Sequence, residues 1–136
     1  MDLTTELTWK GEGLLLDGES ARGRVRLSGT GDEPGAGPSP SELLLLAVGG
    51  CTAMDVVSIL RKMRQPLEGL EVEVRGTKAD EHPRRFLAIE VLYRLRGDLS
   101  EDRVRRAIEL SETRYCAMEA TLRGRVELSS RYVIEK

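Results

Sequence analysis

Two side chains in this 136-residue chain stand out for chemistry, the thiols of Cys51 and Cys116. Cys51 lies in Ser39-Pro-Ser-Glu-Leu-Leu-Leu-Leu-Ala-Val-Gly-Gly-Cys51-Thr-Ala-Met-Asp55, an apolar stretch of helical character, directly after Gly49 and Gly50. Each glycine inside a helix costs about 1 kcal/mol relative to alanine. That cost points to something approaching the backbone beside the sulfur. A reactive cysteine needs a thiolate, favoured by a nearby cation, and access for its substrate. The alternative is a small inert core residue, since free cysteine is among the most buried types. Both readings stay open from the residues alone.

A Cys51–Cys116 redox pair requires Cα atoms within about 7 Å, and a separation of 65 positions leaves that distance to the fold. Two separated cysteines and the single His82 match no zinc-ligand spacing, so no metal and no other cofactor is expected. His82 sits in the polar connection Lys78–Arg85 and reads as a solvent-exposed turn residue. Arg22, Arg24 and Arg26 share one face of a candidate strand and could lower a thiol pKa, or simply form a solvated face. Asp55, one helical turn after Cys51, would raise that pKa unless a cation intervenes, so pairing with an arginine or capping of another element is expected.

The elements that position these groups follow from local pattern. Leu3–Trp9, Leu14–Leu16 and Gly23–Leu27 read as short strands, and Gly29–Pro38 as a loop. Ser39 opens a long helix with a capping box completed by Glu42, with Pro40 at the first helical position. The helix is expected to reach about Arg64, before Gln65-Pro66. Leu43–Val48 is apolar on every face, which implies burial all round and favours a dimer. Leu70, Val72 and Val74 alternate with charged residues, and Leu87, Ile89, Val91, Tyr93 and Leu95 share one face of a second segment, so two paired strands follow. A second helix is expected from Ser100 to about Tyr115, with Leu99 and Val104 as a staple and Cys116 at its end or at the start of another short helix. A closing strand presents Val126, Leu128, Tyr132 and Ile134 on one face. The class is α+β: antiparallel sheets with two main helices, the Cys51 helix central, in a single domain spanning 1–136.

Composition narrows the function. Hydrophobic residues at 40%, charged residues at 32% and a net charge of −2 describe an ordinary globular chain. With no basic field and only five aromatic residues, nucleic-acid binding is not expected. The N-terminus lacks a signal-peptide order, and the run Leu43–Val48 is too short to span a bilayer. A cytoplasmic protein without a membrane partner is the expectation.

The stretch Pro38-Ser-Pro-x-Glu42-Leu-Leu-Leu-x-Ala-x-Gly-Gly-Cys51-Thr, with a second cysteine near the end of the next helix, resembles the OsmC/Ohr family across nearly the whole chain. The resemblance implies an intertwined homodimer with two long helices between sheets and active sites at the subunit interface. It also implies a thiol-dependent peroxidase that reduces small organic hydroperoxides, recycled by a dithiol reductant. Carried over, Cys51 is the peroxidatic cysteine and Cys116 the resolving one, joined in a disulfide during turnover. Peroxidases of the family carry a glutamate ten residues before the cysteine, holding an activating arginine. Here Ser41 occupies that position and Glu42 stands nine before, half a turn away and some 13 Å along the helix axis. Glu42 therefore acts from a partner subunit or serves only as the cap, and Arg24 is the central candidate for the arginine. Two alternatives remain: a dimer that binds a hydrophobic or thiol-reactive small molecule beside Cys51 without catalysis, and a structural protein with both thiols buried.

Overall fold

A computed structural model describes residues 1–136. The chain forms two compact units, Met1–Leu44 and Leu45–Lys136.

In the first unit, β1 (Thr5–Trp9), β2 (Leu16–Ser20) and β3 (Gly23–Leu27) form an antiparallel meander in that order. β2 is displaced from the expected Leu14–Leu16 and is largely polar. Its strand character comes from its neighbours: Asp17 lies opposite Arg26 and Glu19 opposite Arg24. Ion pairs of 3.1 Å and 3.2 Å span those positions, and opposite charges facing across strands stabilise a sheet. Leu14 instead belongs to the preceding turn, where its N–H donates to Asp32. The loop before the helix is closed by Ser28, whose N–H donates to the Pro38 carbonyl and whose hydroxyl donates to that of Gly37.

Helix α1 spans Pro40–Lys62. Its capping box forms as expected: the Ser39 N–H donates to Glu42 Oε1 at 2.9 Å and the Glu42 N–H to Ser39 Oγ at 3.1 Å. The helix stops slightly short of the expected end, because Arg64 turns left-handed (φ +59°) and the Gln65 N–H bonds back to the Leu60 carbonyl.

In the second unit, β4 (Gly69–Lys78), β5 (Phe86–Arg96) and β6 (Glu127–Glu135) form one sheet with β5 in the centre. The β4–β5 pair is antiparallel, as the alternation implied, but β6 runs parallel to β5, so this sheet is mixed. Between β5 and β6 the chain passes through helix α2 (Glu101–Leu110), a π-helical turn (Ser111–Tyr115) and helix α3 (Ala117–Leu122). That helical crossover carries the chain back to the starting end of the sheet, and a parallel strand results. Ile89, Val91, Tyr93 and Leu95 of β5 are all buried and join Val48, Val56 and Leu60 of α1 and Val104, Ala107 and Ile108 of α2 in the core.

α1 buries only one stripe, Val48, Gly49, Thr52, Val56 and Leu60. Leu46 and Met54 are 62% and 75% exposed, so burial all round does not hold for one chain. By length and composition α1 could cross a bilayer, which the six-residue run Leu43–Val48 did not suggest. Its packed stripe makes it a core helix.

Candidate active site

Cys51 and Cys116 both lie in the second unit, and the fold brings their thiols together. Cys51 is half-buried on α1, whereas Cys116 is 2% exposed. The π-helical turn decides where Cys116 sits. Its N–H reaches back five residues to the Ser111 carbonyl at 2.7 Å, the helix ends, and Cys116 becomes the extended N-cap of α3. Its sulfur there accepts the Glu119 N–H at 3.4 Å and lies within hydrogen-bonding reach of Cys51. Burial pushes the Cys116 thiol up to about 12; the Glu119 N–H opposes that rise and the contact with Cys51 adds to it.

A polar group packs behind this pair. Asp55 accepts a hydrogen bond from the Ser111 hydroxyl at 2.9 Å, so its partner is a side-chain hydroxyl of the π-helical turn, neither of the two expected, an arginine or a helix cap. Thr52 donates to the carbonyls of Val48 and Gly49. The fully buried Tyr93 hydroxyl approaches Thr52, Glu112, Glu119 and Cys116, but no hydrogen bond of ordinary geometry closes on it. Glu119 is 4% exposed. Burial raises its carboxyl to about 7, with Glu112 and Asp55 adding to the rise and Arg123 opposing it. Sequence reasoning passed over Tyr93, Glu112 and Glu119. The one available signal was the spacing Cys116-x-x-Glu119, a capping-box spacing with sulfur in place of a hydroxyl.

Glu42, Arg24 and Arg26 lie in the first unit. Glu42 is engaged with Ser39, whose N–H and then hydroxyl hold its carboxyl below the ordinary range. Arg24 is 82% exposed at its side chain and paired with Glu19, while Arg26 pairs with Asp17. His82 lies in an exposed connection, as expected.

The two glycines before Cys51 do different things. A Cβ on Gly49 would sit 2.6 Å from Val74 Cγ2, so Gly49 permits α1 to lie against β4. What approaches the backbone there is the protein's own sheet. Gly50 faces open space. It lines a groove of about 790 Å³ with Leu46, Ala53, Met54 and Val57 of α1 and Leu70 and Val72 of β4.

Residues 29–131 match the family model described as OsmC-like protein. Protein YhfA of Escherichia coli (strain K12) is 40% identical over 124 residues, covering 90% of this chain and 92% of that protein. A crystal structure of a protein from Aquifex aeolicus VF5 superposes with a TM-score of 0.86 at 26% identity, covering 100% and 99% of the two chains. The organic hydroperoxide resistance protein OhrB of Bacillus subtilis shares the fold at a TM-score of 0.66 and 14% identity, covering 98% of each chain.

Proposed function

The chain belongs to the OsmC-like protein family, and on that premise we propose that it is a thiol-dependent peroxidase acting on small organic hydroperoxides. The observation that carries this reading is the meeting of the Cys51 and Cys116 thiols within one unit. The half-buried thiol suits attack on an incoming substrate, and the buried one suits a partner that must wait. The Cys51 thiolate attacks the distal peroxide oxygen, the O–O bond breaks, and an alcohol leaves with Cys51 as the sulfenic acid. The Cys116 sulfur then displaces the hydroxyl oxygen from Cys51, forming a disulfide and water. A small dithiol returns both thiols by two exchange steps. In this reading Arg24 is the cation that favours the thiolate and Glu42 the carboxylate that orients it, supplied across the interface of a cytoplasmic homodimer.

The homodimer is supported by apolar surface on both units. Leu7, Trp9 and Val25, on one face of the first sheet, are 59%, 61% and 41% exposed, and Leu46 and Met54 project from α1. The groove beside Gly50 also favours a second reading, non-catalytic capture of a hydrophobic or thiol-reactive small molecule. Mass spectrometry of the reduced protein before and after one equivalent of cumene hydroperoxide separates the two. Loss of both thiols to a Cys51–Cys116 disulfide, with release of the alcohol, is the expected result. Two untouched thiols, or a stoichiometric adduct without peroxide consumption, would end the peroxidase reading.

A further inference from the structure

Cys51 and Cys116 stand on separate elements, and Ser111 ties those elements together. It is fully buried where α2 gives way to the π-helical turn, and each of its polar groups reaches a different part of the fold. Its N–H donates to the Ala107 and Ile108 carbonyls of α2. Its carbonyl accepts the Cys116 N–H at 2.7 Å. Its hydroxyl donates to Asp55 Oδ2 of α1 at 2.9 Å. Asp55 stands four residues after Cys51 on the same helical face, about 6 Å along the axis. One helical turn and two hydrogen bonds thus connect Cys51 to the peptide of Cys116.

The π-helical turn makes that connection matter. In an α-helical turn the Cys116 N–H would bond the carbonyl of Glu112, four residues back. Here it reaches Ser111, the fifth, and the Glu112 carbonyl accepts from the Arg123 guanidinium instead. A slip of one residue in such a turn rotates whatever follows by about 100° around the helix axis. That rotation would carry the Cys116 sulfur away from Cys51, and a disulfide tolerates little of it, since the Cβ vectors must converge. We infer that Asp55 and Ser111 are positioning residues for the disulfide: their hydrogen bond fixes the π-helical turn against α1 and aims Cys116 at Cys51. Asp55 acts as the acceptor of that bond rather than through its charge on the thiols. Without it the Ser111 hydroxyl is left buried and unpaired, and the turn loses its hold on the helix that carries Cys51.

The disulfide's place in turnover rests on the peroxidase reading, but the positioning can be tested without peroxide. Dithiobis(nitrobenzoate) converts Cys51 to a mixed disulfide and releases one thionitrobenzoate. The Cys116 sulfur then attacks the Cys51 sulfur, the second thionitrobenzoate leaves as the thiolate, and the Cys116 proton passes to solvent. Stopped-flow absorbance reads the two releases separately. Ser111→Ala and Asp55→Ala should slow the second release roughly 10- to 100-fold without slowing the first. Asp55→Asn, which keeps an acceptor oxygen and loses the charge, should close no more slowly than the native protein. The double alanine variant should be no slower than either single one, because both changes remove the same bond. Urea midpoints show which variants are folded. Where the alanine variants unfold, Asp55→Glu, which keeps the charge and lengthens the arm by one methylene, should slow closing in their place. A native second release in these variants overturns the inference. So does an Asp55→Asn protein as slow as Asp55→Ala, which would assign the effect to charge, or a double variant slowed by the product of the single effects. Equal slowing of both releases overturns it as a general loosening, and release of a single thionitrobenzoate by the native protein does so because the thiols then never pair. A protein inert to cumene hydroperoxide whose second release still depends on Asp55 and Ser111 removes the peroxidase reading and leaves the positioning standing.

Discussion

At the residue scale the proposed chemistry rests on two sulfurs in unlike settings. Cys51 is half-buried on a helix, and Cys116 is sealed behind a π-helical turn. Cys51→Ser should abolish hydroperoxide consumption, measured as loss of cumene hydroperoxide in the presence of a dithiol. Cys116→Ser should allow one oxidation per chain and then stop, leaving a sulfenic acid on Cys51 that dimedone traps and mass spectrometry detects. Glu119 makes a separate statement about stability. Its carboxyl titrates near 7 in the folded protein and near the ordinary value of 4.5 when unfolded. Between those values the folded state binds more protons, so stability is highest at acid pH and falls as pH rises through 7. The loss amounts to about 3 kcal/mol at most. Glu119→Gln does not titrate, so denaturant midpoints from pH 4.5 to 8.5 should show the variant gaining on the native protein as pH rises. Cys51 and Cys116 were legible as candidates from their type alone. Glu119 was not, because an acidic residue in a short polar helix gives no sign of being buried.

At the element scale the local rules read well wherever the bonding is local. Ser39 and Glu42 cap α1 because the two groups lie three residues apart and need no other part of the fold. The alternation of β5 predicted its buried face from Ile89 to Leu95, where a central strand packs on the core, but not at Leu87, which is 41% exposed near the strand's start. β2 was misplaced because its strand character resides in charges on β3, and the π-helical turn was missed because no residue type demands it. Gly49 shows how an element answers to its neighbour. Alanine there improves helix propensity by about 1 kcal/mol but forces a methyl to within 2.6 Å of Val74. Overpacking of that kind costs about 1–3 kcal/mol, so Gly49→Ala should lower the unfolding midpoint. Combining it with Val74→Ala should give less destabilisation than the two changes summed, measured as a double-mutant cycle in urea.

At the scale of the whole molecule, the exposed apolar residues of α1 and the first sheet argue for a second copy. Met54→Asp should place a charge in that contact and give particles of one chain mass, 15.1 kDa, by light scattering, where the native protein gives twice that. A native protein that already scatters as a single chain would remove the homodimer from the proposed function. The sequence by itself determined the α+β class, the N-terminal cap of α1, the inner face of β4 and that of β5 from Ile89 onward, and the family through the Pro38–Thr52 motif. All of these are short-range, set by hydrogen bonds and side-chain periodicity within a few residues. Only the tertiary structure decided that β6 runs parallel, that Asp55 bonds Ser111, that Gly49 yields to Val74, and that Cys51 meets Cys116 beside Tyr93, Glu112 and Glu119. Those contacts join residues tens of positions apart. They depend on one helical crossover, whose path is set by the packing of a whole core rather than by any one stretch of chain.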